Sequence, residues 1–123
     1  MIKSLLIVGL GSFCGGALRY YISTFMKSAC GQGFPWGTLL VNLVGCLLIG
    51  IVFGLFGKMG TQQSSWCLML TAGFCGGFTT FSAFANESVQ MLQSGNTLNL
   101  IIYILASVLV GIALVALGYW IVK

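Results

Sequence analysis

At 123 residues the chain is one domain at most. It is 59% hydrophobic and only 5% charged, with a mean hydropathy of +1.07, whereas a soluble domain carries about 25% charged residues. That excludes an ordinary soluble globule. Five basic residues against one acid, spread along the chain, exclude a nucleic-acid surface, which needs basic clustering on a polar face. With no histidine, the commonest metal ligand and proton relay is missing.

The first apolar run covers about Ser4–Met26. Its length, the late Arg19 and the apolar runs that follow favour a retained membrane span over a cleaved signal peptide. The second runs from about Trp36 to Gly57, opened by Pro35, the only proline, where a missing N–H costs nothing. The third covers about Trp66–Leu92 and the fourth about Leu98–Val122. Each is near the ~20 residues that cross a bilayer core. Trp36, Trp66, Tyr103 and Trp120 fall at or near span ends, where aromatic rings suit the membrane–water interface. The connections KSACGQGFP, KMGTQQSS and QSGNT leave no room for a soluble domain. The chain therefore reads as a single four-helix, multi-pass transmembrane domain.

Glycine is heavily used, at 18 residues, and it is patterned. Thr38, Asn42, Cys46, Gly50 and Gly54 form one stripe of the second span. Ser107, Gly111 and Gly118 lie on the fourth, and Ser12 and Gly16 on the first. Small stripes let helices approach closely in lipid. The plain reading is helix packing within one bundle; a sharper one is that so much small surface exceeds the needs of a four-helix monomer, which predicts oligomerisation. Cys14, Cys30, Cys46, Cys67 and Cys75 form no CxxC pair and read as small apolar side chains.

Charge decides orientation weakly. Four spans place Lys3, Lys58 and Lys123 on one side, and Lys27 with the tip of Arg19 on the other. Three against two is almost no bias under the positive-inside rule. Such a chain is expected to insert both ways round and to pair as an antiparallel dimer, with the inverted symmetry that larger transporters build into one chain.

Gly73–Glu87, GFCGGFTTFSAFANE, stands apart. It holds three glycines, two threonines and a serine inside a span, with Phe78, Phe81 and Phe84 at i, i+3 and i+6. Exposed backbone polar groups cost several kcal/mol each in hydrocarbon. The helix is therefore expected to break near Gly76–Thr80, lining something other than lipid.

Three stretches together carry a family resemblance: GGALRYY at Gly15–Tyr21, WGTLLVNLVGCLLIG at Trp36–Gly50 and GFCGGFTTFSAFANES at Gly73–Ser88. The chain resembles the small bacterial fluoride channels, the Fluc or CrcB-type proteins, over essentially its whole length. The resemblance implies an all-α membrane protein of four transmembrane helices with a broken third helix, assembled as an antiparallel dual-topology homodimer. It implies two parallel fluoride pores and a central sodium ion held by the Gly76 and Thr79 carbonyls of both copies. Phe81 and Phe84 match the pore aromatics, whose positive ring edges can meet an anion. Asn42 matches an asparagine whose amide can donate to it. Thr80, Ser82, Tyr103 and Ser107 match a polar track, from which one hydroxyl is missing because Ala83 stands where the family often reads threonine. Arg19 matches a vestibule arginine and Glu87 a glutamate near the pore.

The implied activity is passive export of fluoride across the bacterial inner membrane, not enzymatic chemistry. Fluoride enters cells as neutral HF, ionises and accumulates, so an anion pore lets it leave down its gradient. The alternative is a four-helix proton-coupled multidrug exporter. That chemistry needs a carboxylate in the first span, which here holds Arg19 and no acid.

Overall fold

A computed structural model of the protein describes residues 1–31, 33–60 and 64–122. Gln32, residues 61–63 of the second connection, and Lys123, one of the three lysines assigned to a common side, lie outside the described residues. Among the described residues every regular element is helical. Helix α1 is Ile2–Cys30 and α2 is Trp36–Lys58. The third stretch opens with α3 (Ser65–Leu68), whose first turn is capped by the Ser64 hydroxyl accepting the Cys67 N–H at 3.2 Å. It widens into a π-helical segment, Met69–Cys75, tightens again in α4 (Gly76–Phe78), and resumes as α5 (Phe81–Gln93). The last stretch is α6 (Thr97–Leu105), a second π-helical segment Ala106–Val110, and α7 (Gly111–Ile121). Taken as Ile2–Cys30, Trp36–Lys58, Ser65–Gln93 and Thr97–Ile121, the four are long and apolar enough to cross a membrane.

Gly31 and Gly95 follow α1 and α5 at φ of 79° and 83°. An L side chain is disfavoured in that left-handed region, so a glycine ends the helix there and turns the chain back.

Packing follows the glycines. Helix α2 lies along α7, and α1 lies along Met69–Cys75 and α4. A Cβ at Gly118 would sit 2.6 Å from the Ile51 nitrogen and 2.7 Å from the Leu47 carbonyl oxygen. A Cβ at Gly11 would sit 2.8 Å from the Phe74 nitrogen, and one at Gly77 would sit 2.7 Å from the Ser12 carbonyl oxygen. These neighbours are backbone and cannot swing aside, so the close approach demands glycine on both seams.

This corrects one expectation. The stripes described above are largely used inside one chain. Gly50 and Gly54 meet α7, a Cβ at Gly111 would lie 3.3 Å from Cys46 Sγ, and the Ser12 hydroxyl bonds the Gly73 carbonyl. A surplus of small surface therefore gives no argument for oligomerisation. Spacing alone marks a face as small but does not say which neighbour fills it.

The core is slight. Tyr103, Phe78, Val41 and Cys67 are its largest fully buried side chains. Phe13, Phe25, Leu109 and Ile112 are among many large apolar residues on the outside. So much exposed apolar surface would aggregate in water and suits lipid.

Candidate functional site

Helical dihedrals lapse at two residues, Thr79 (φ −89°, ψ 160°) and Thr80 (φ −152°, ψ 122°), both extended. Thr79 still donates its N–H to the Cys75 carbonyl at 3.0 Å, and its hydroxyl donates to the same oxygen at 2.9 Å. The next N–H does not continue the ladder. Thr80 donates it instead to Asn42 Oδ1 at 2.8 Å, while Asn42 Nδ2 donates to the Thr80 carbonyl at 3.0 Å. One amide side chain from α2 thus takes the N–H of Thr80 in place of the Gly76 carbonyl and adds a donor to the carbonyl of Thr80, the residue that caps α5. The Thr80 hydroxyl then accepts the Ala83 N–H at 3.2 Å and caps α5.

The consequence falls on the carbonyls one turn back. The helical partner of the Gly76 oxygen would be the Thr80 N–H, which Asn42 has taken. The Gly77 oxygen, whose partner would be the Phe81 N–H, accepts from Arg19 Nε at 3.2 Å. Gly76 is exposed, and a Cβ there would meet only the Thr71 oxygen, at 3.7 Å.

Two hollows flank α5. The first, about 590 Å³, is a groove lined by Asn42, Cys46, Cys75, Gly76, Thr79, Thr80, Phe81, Phe84 and Ser107. The second, about 780 Å³, is a cleft lined by Arg19, Lys27, Thr38, Ala83, Asn86, Glu87 and other residues. Helix α5 thus shows Thr80, Phe81 and Phe84 to the groove and Ala83 and Glu87 to the cleft.

The groove gathers most of the residues named from the sequence. Phe81 is 78% exposed, with its ring centroid 5.7 Å from that of the half-buried Phe84. Asn42 spends one of its two amide hydrogens on Thr80 and keeps a second. The Ser107 Oγ is buried and has no hydrogen-bond partner among the described residues. A buried hydroxyl left unpaired is uncommon in a native fold and calls for an explanation. Its segment, Ala106–Val110, is π-helical, an arrangement that recurs at functional sites. The amino end of α5, with its outward N–H groups, adds a positive dipole end beside Phe81.

Other residues are placed elsewhere. Tyr103 is fully buried in the core rather than on the groove wall. It packs on Phe84 at 5.0 Å and on Phe34 edge-on at 5.6 Å, and donates its hydroxyl to Glu87 Oε1 at 3.3 Å. Ser82 lies beside Thr80, with their hydroxyl oxygens 3.3 Å apart. Arg19 and Glu87, expected at a vestibule and near the pore, both line the cleft. Sequence reasoning missed the grip of Asn42 on Thr80 and the Arg19–Gly77 bond. It also missed that Cys46 and Cys75, read as inert, line the groove. A polar amide in an apolar span was a signal for the first; nothing local marked the other two.

The family model described as CrcB-like protein, Camphor Resistance (CrcB), matches residues 6–119. The chain belongs to the CrcB-like family. It is 46% identical over 118 residues to a protein of Phocaeicola vulgatus, covering 96% of this chain and 97% of that one. It is 40% identical over 121 residues to one of Leptospira interrogans, covering 98% and 95%. A third relative, from Flavobacterium psychrophilum, is 38% identical over 121 residues, covering 98% of each. All three carry the name Fluoride-specific ion channel FluC. The matched stretch of this family spans every residue of the groove and the cleft.

Proposed function

We propose that the chain forms a passive, fluoride-selective channel of the bacterial inner membrane. The observation that carries this reading is the content of the groove. A Ser107 hydroxyl without a partner among the described residues and the second N–H of Asn42 stand with the Phe81 and Phe84 rings, and none of the described residues lining the groove is a cation. Donors without a full counter-charge replace the hydration of a small, strongly hydrated anion while letting it leave again. The cleft, with Arg19 and Lys27 against the single carboxylate of Glu87, concentrates anions at the entrance. Phe84 and Thr80 on one face of α5, and Ala83 and Glu87 on the other, connect the two hollows through one helix.

The interrupted third span is, in this reading, the working part of the pathway, and two copies pair across it in opposite orientation. The exposed Gly76, with open space beyond it, lets a second backbone approach. A sodium ion fits the donor set: neutral carbonyl oxygens of Gly76 and Thr79, the first deprived of its helical N–H, would hold it from both copies. When bound, such an ion supplies the positive charge that the turned-out carbonyls lack. No observation favours the proton-coupled exporter, since α1 carries no carboxylate.

Fluoride efflux from liposomes holding the purified protein tests the reading. Rapid fluoride release on adding a potassium ionophore, with no chloride release, is expected. Release no faster than from empty liposomes overturns it.

A further inference from the structure

We infer that Arg19 is a positioning residue of the backbone turn at Thr79–Thr80, acting through its Nε–H on the Gly77 carbonyl rather than only through its charge in the cleft. The inference deepens the reading of the interrupted span as the working part of the channel, but its test reads backbone order and not fluoride.

The geometry carries it. Gly77 is the last residue but one of α4, and the dihedrals of Thr79 and Thr80 carry the Phe81 N–H away from its oxygen. In an apolar surrounding that carbonyl needs a donor from another element. Helix α1 supplies it, because Gly11 and Gly15 bring its backbone against the third span and Gly77 brings the span against Ser12. Two side chains of α1 then reach carbonyls of the third span. Ser12 Oγ donates to Gly73 at 3.2 Å, and Arg19 Nε donates to Gly77 at 3.2 Å. They are seven residues apart on α1, hence two turns apart on one face, and their acceptors are four apart on the other helix. Asn42 holds the far side of the same turn through Thr80. The turn is thus clamped from α1 and from α2, and the Gly76 carbonyl between the clamps loses its helical donor, the Thr80 N–H.

A floating vestibule charge and a positioning donor make opposite demands on substitution. In glutamine, Nε2 stands the same number of bonds from Cα as Nε of arginine, so Arg19→Gln removes the charge and keeps a donor at the same reach. Arg19→Met keeps a chain of similar length and removes both. Hydrogen–deuterium exchange of the full chain in nanodiscs is read at the amides of Thr79, Thr80 and Ala83. Their partners are Cys75 O, Asn42 Oδ1 and Thr80 Oγ1, and amides of α7 serve as the internal control. Arg19→Met is expected to exchange at these amides about tenfold faster or more, the loss of one hydrogen bond from a charged donor, while Arg19→Gln stays parental. Equal exchange in the two variants, or parental exchange in Arg19→Met, overturns the inference. If Arg19→Met does not assemble, Arg19→Ala takes its place as the variant without a donor: exchange faster than in Arg19→Gln supports the positioning role, and equal exchange refutes it. Failure of the liposome assay would sink the channel reading and leave this result standing.

Discussion

Replacing Asn42 with alanine removes two hydrogen bonds from the Thr80 backbone at once, the donor to its carbonyl at 3.0 Å and the acceptor of its N–H at 2.8 Å. The N–H cannot return to its helical acceptor, the Gly76 carbonyl, while Thr79 and Thr80 are extended. Each bond is worth about 1–1.5 kcal/mol net in a part-buried setting, so the pair contributes about 2–3 kcal/mol to holding the turn. At 1.4 kcal/mol per factor of ten, that is a rise of roughly 30- to 140-fold in the open population of this segment. Hydrogen exchange at Thr80 measures it directly, and fluoride efflux from liposomes measures the consequence. The exchange rate of Thr80 is expected to rise within that range while the α7 amides hold, and fluoride efflux is expected to fall at least about tenfold, since the amide donor is lost as well. Asn42→Asp separates the two roles: it keeps an acceptor for the Thr80 N–H but places an anion in the groove. An Asn42→Ala protein with parental Thr80 exchange and parental efflux would refute both the clamp and the pathway.

Ser107→Ala removes a buried hydroxyl that bonds nothing among the described residues. Thermal stability is therefore expected to hold or rise by up to about 1–2 kcal/mol, while fluoride efflux falls; unchanged efflux would show that Ser107 is no part of the path. Phe81→Ile should leave stability near parental, because the ring is 78% exposed, yet lower fluoride flux by removing the positive ring edge. Recovery of flux in Phe81→Met would mean the position needs a polarisable group and not an aromatic one, and parental flux in Phe81→Ile would reassign the ring to packing. Gly118→Ala drives a Cβ to 2.6–2.7 Å from the backbone of Ile51 and Leu47 and is expected to cost about 1–3 kcal/mol. Gly9→Ala, with nothing within 4 Å, is the matched control; equal melting temperatures for the two variants would contradict the α2–α7 packing. A tag on the C-terminus should be accessible from both sides of the membrane in cells, and one location for all copies would exclude dual topology.

Helix class and span positions were legible in the residues because a bilayer is a nearly uniform solvent. About twenty apolar residues cross it whatever their neighbours, and Pro35 and Gly95 mark span ends through local backbone geometry alone. The polar stretch Gly73–Glu87 was visible as an anomaly for the same reason, since hydroxyls and glycines in a lipid span contradict that solvent. Family resemblance carried the choice of Asn42, Phe81, Phe84 and Ser107, which the structure gathers in one groove. What no local pattern holds is who meets whom. The small stripes proved to be seams within the chain, and Tyr103, assigned to a polar track, is buried and bonded to Glu87. Arg19 reads locally as a snorkelling cation, yet its Nε bonds a carbonyl 58 residues away. Asn42 reads by resemblance as an amide that donates to the anion, yet it also bonds the N–H and the carbonyl of a residue 38 positions on. Hydropathy and turn chemistry are properties of neighbours in sequence, whereas these bonds exist only because α1, α2 and the third span are brought together by glycine seams. Tertiary packing alone chooses which carbonyls gain a distant donor, like that of Gly77, and which, like that of Gly76, lose their helical one.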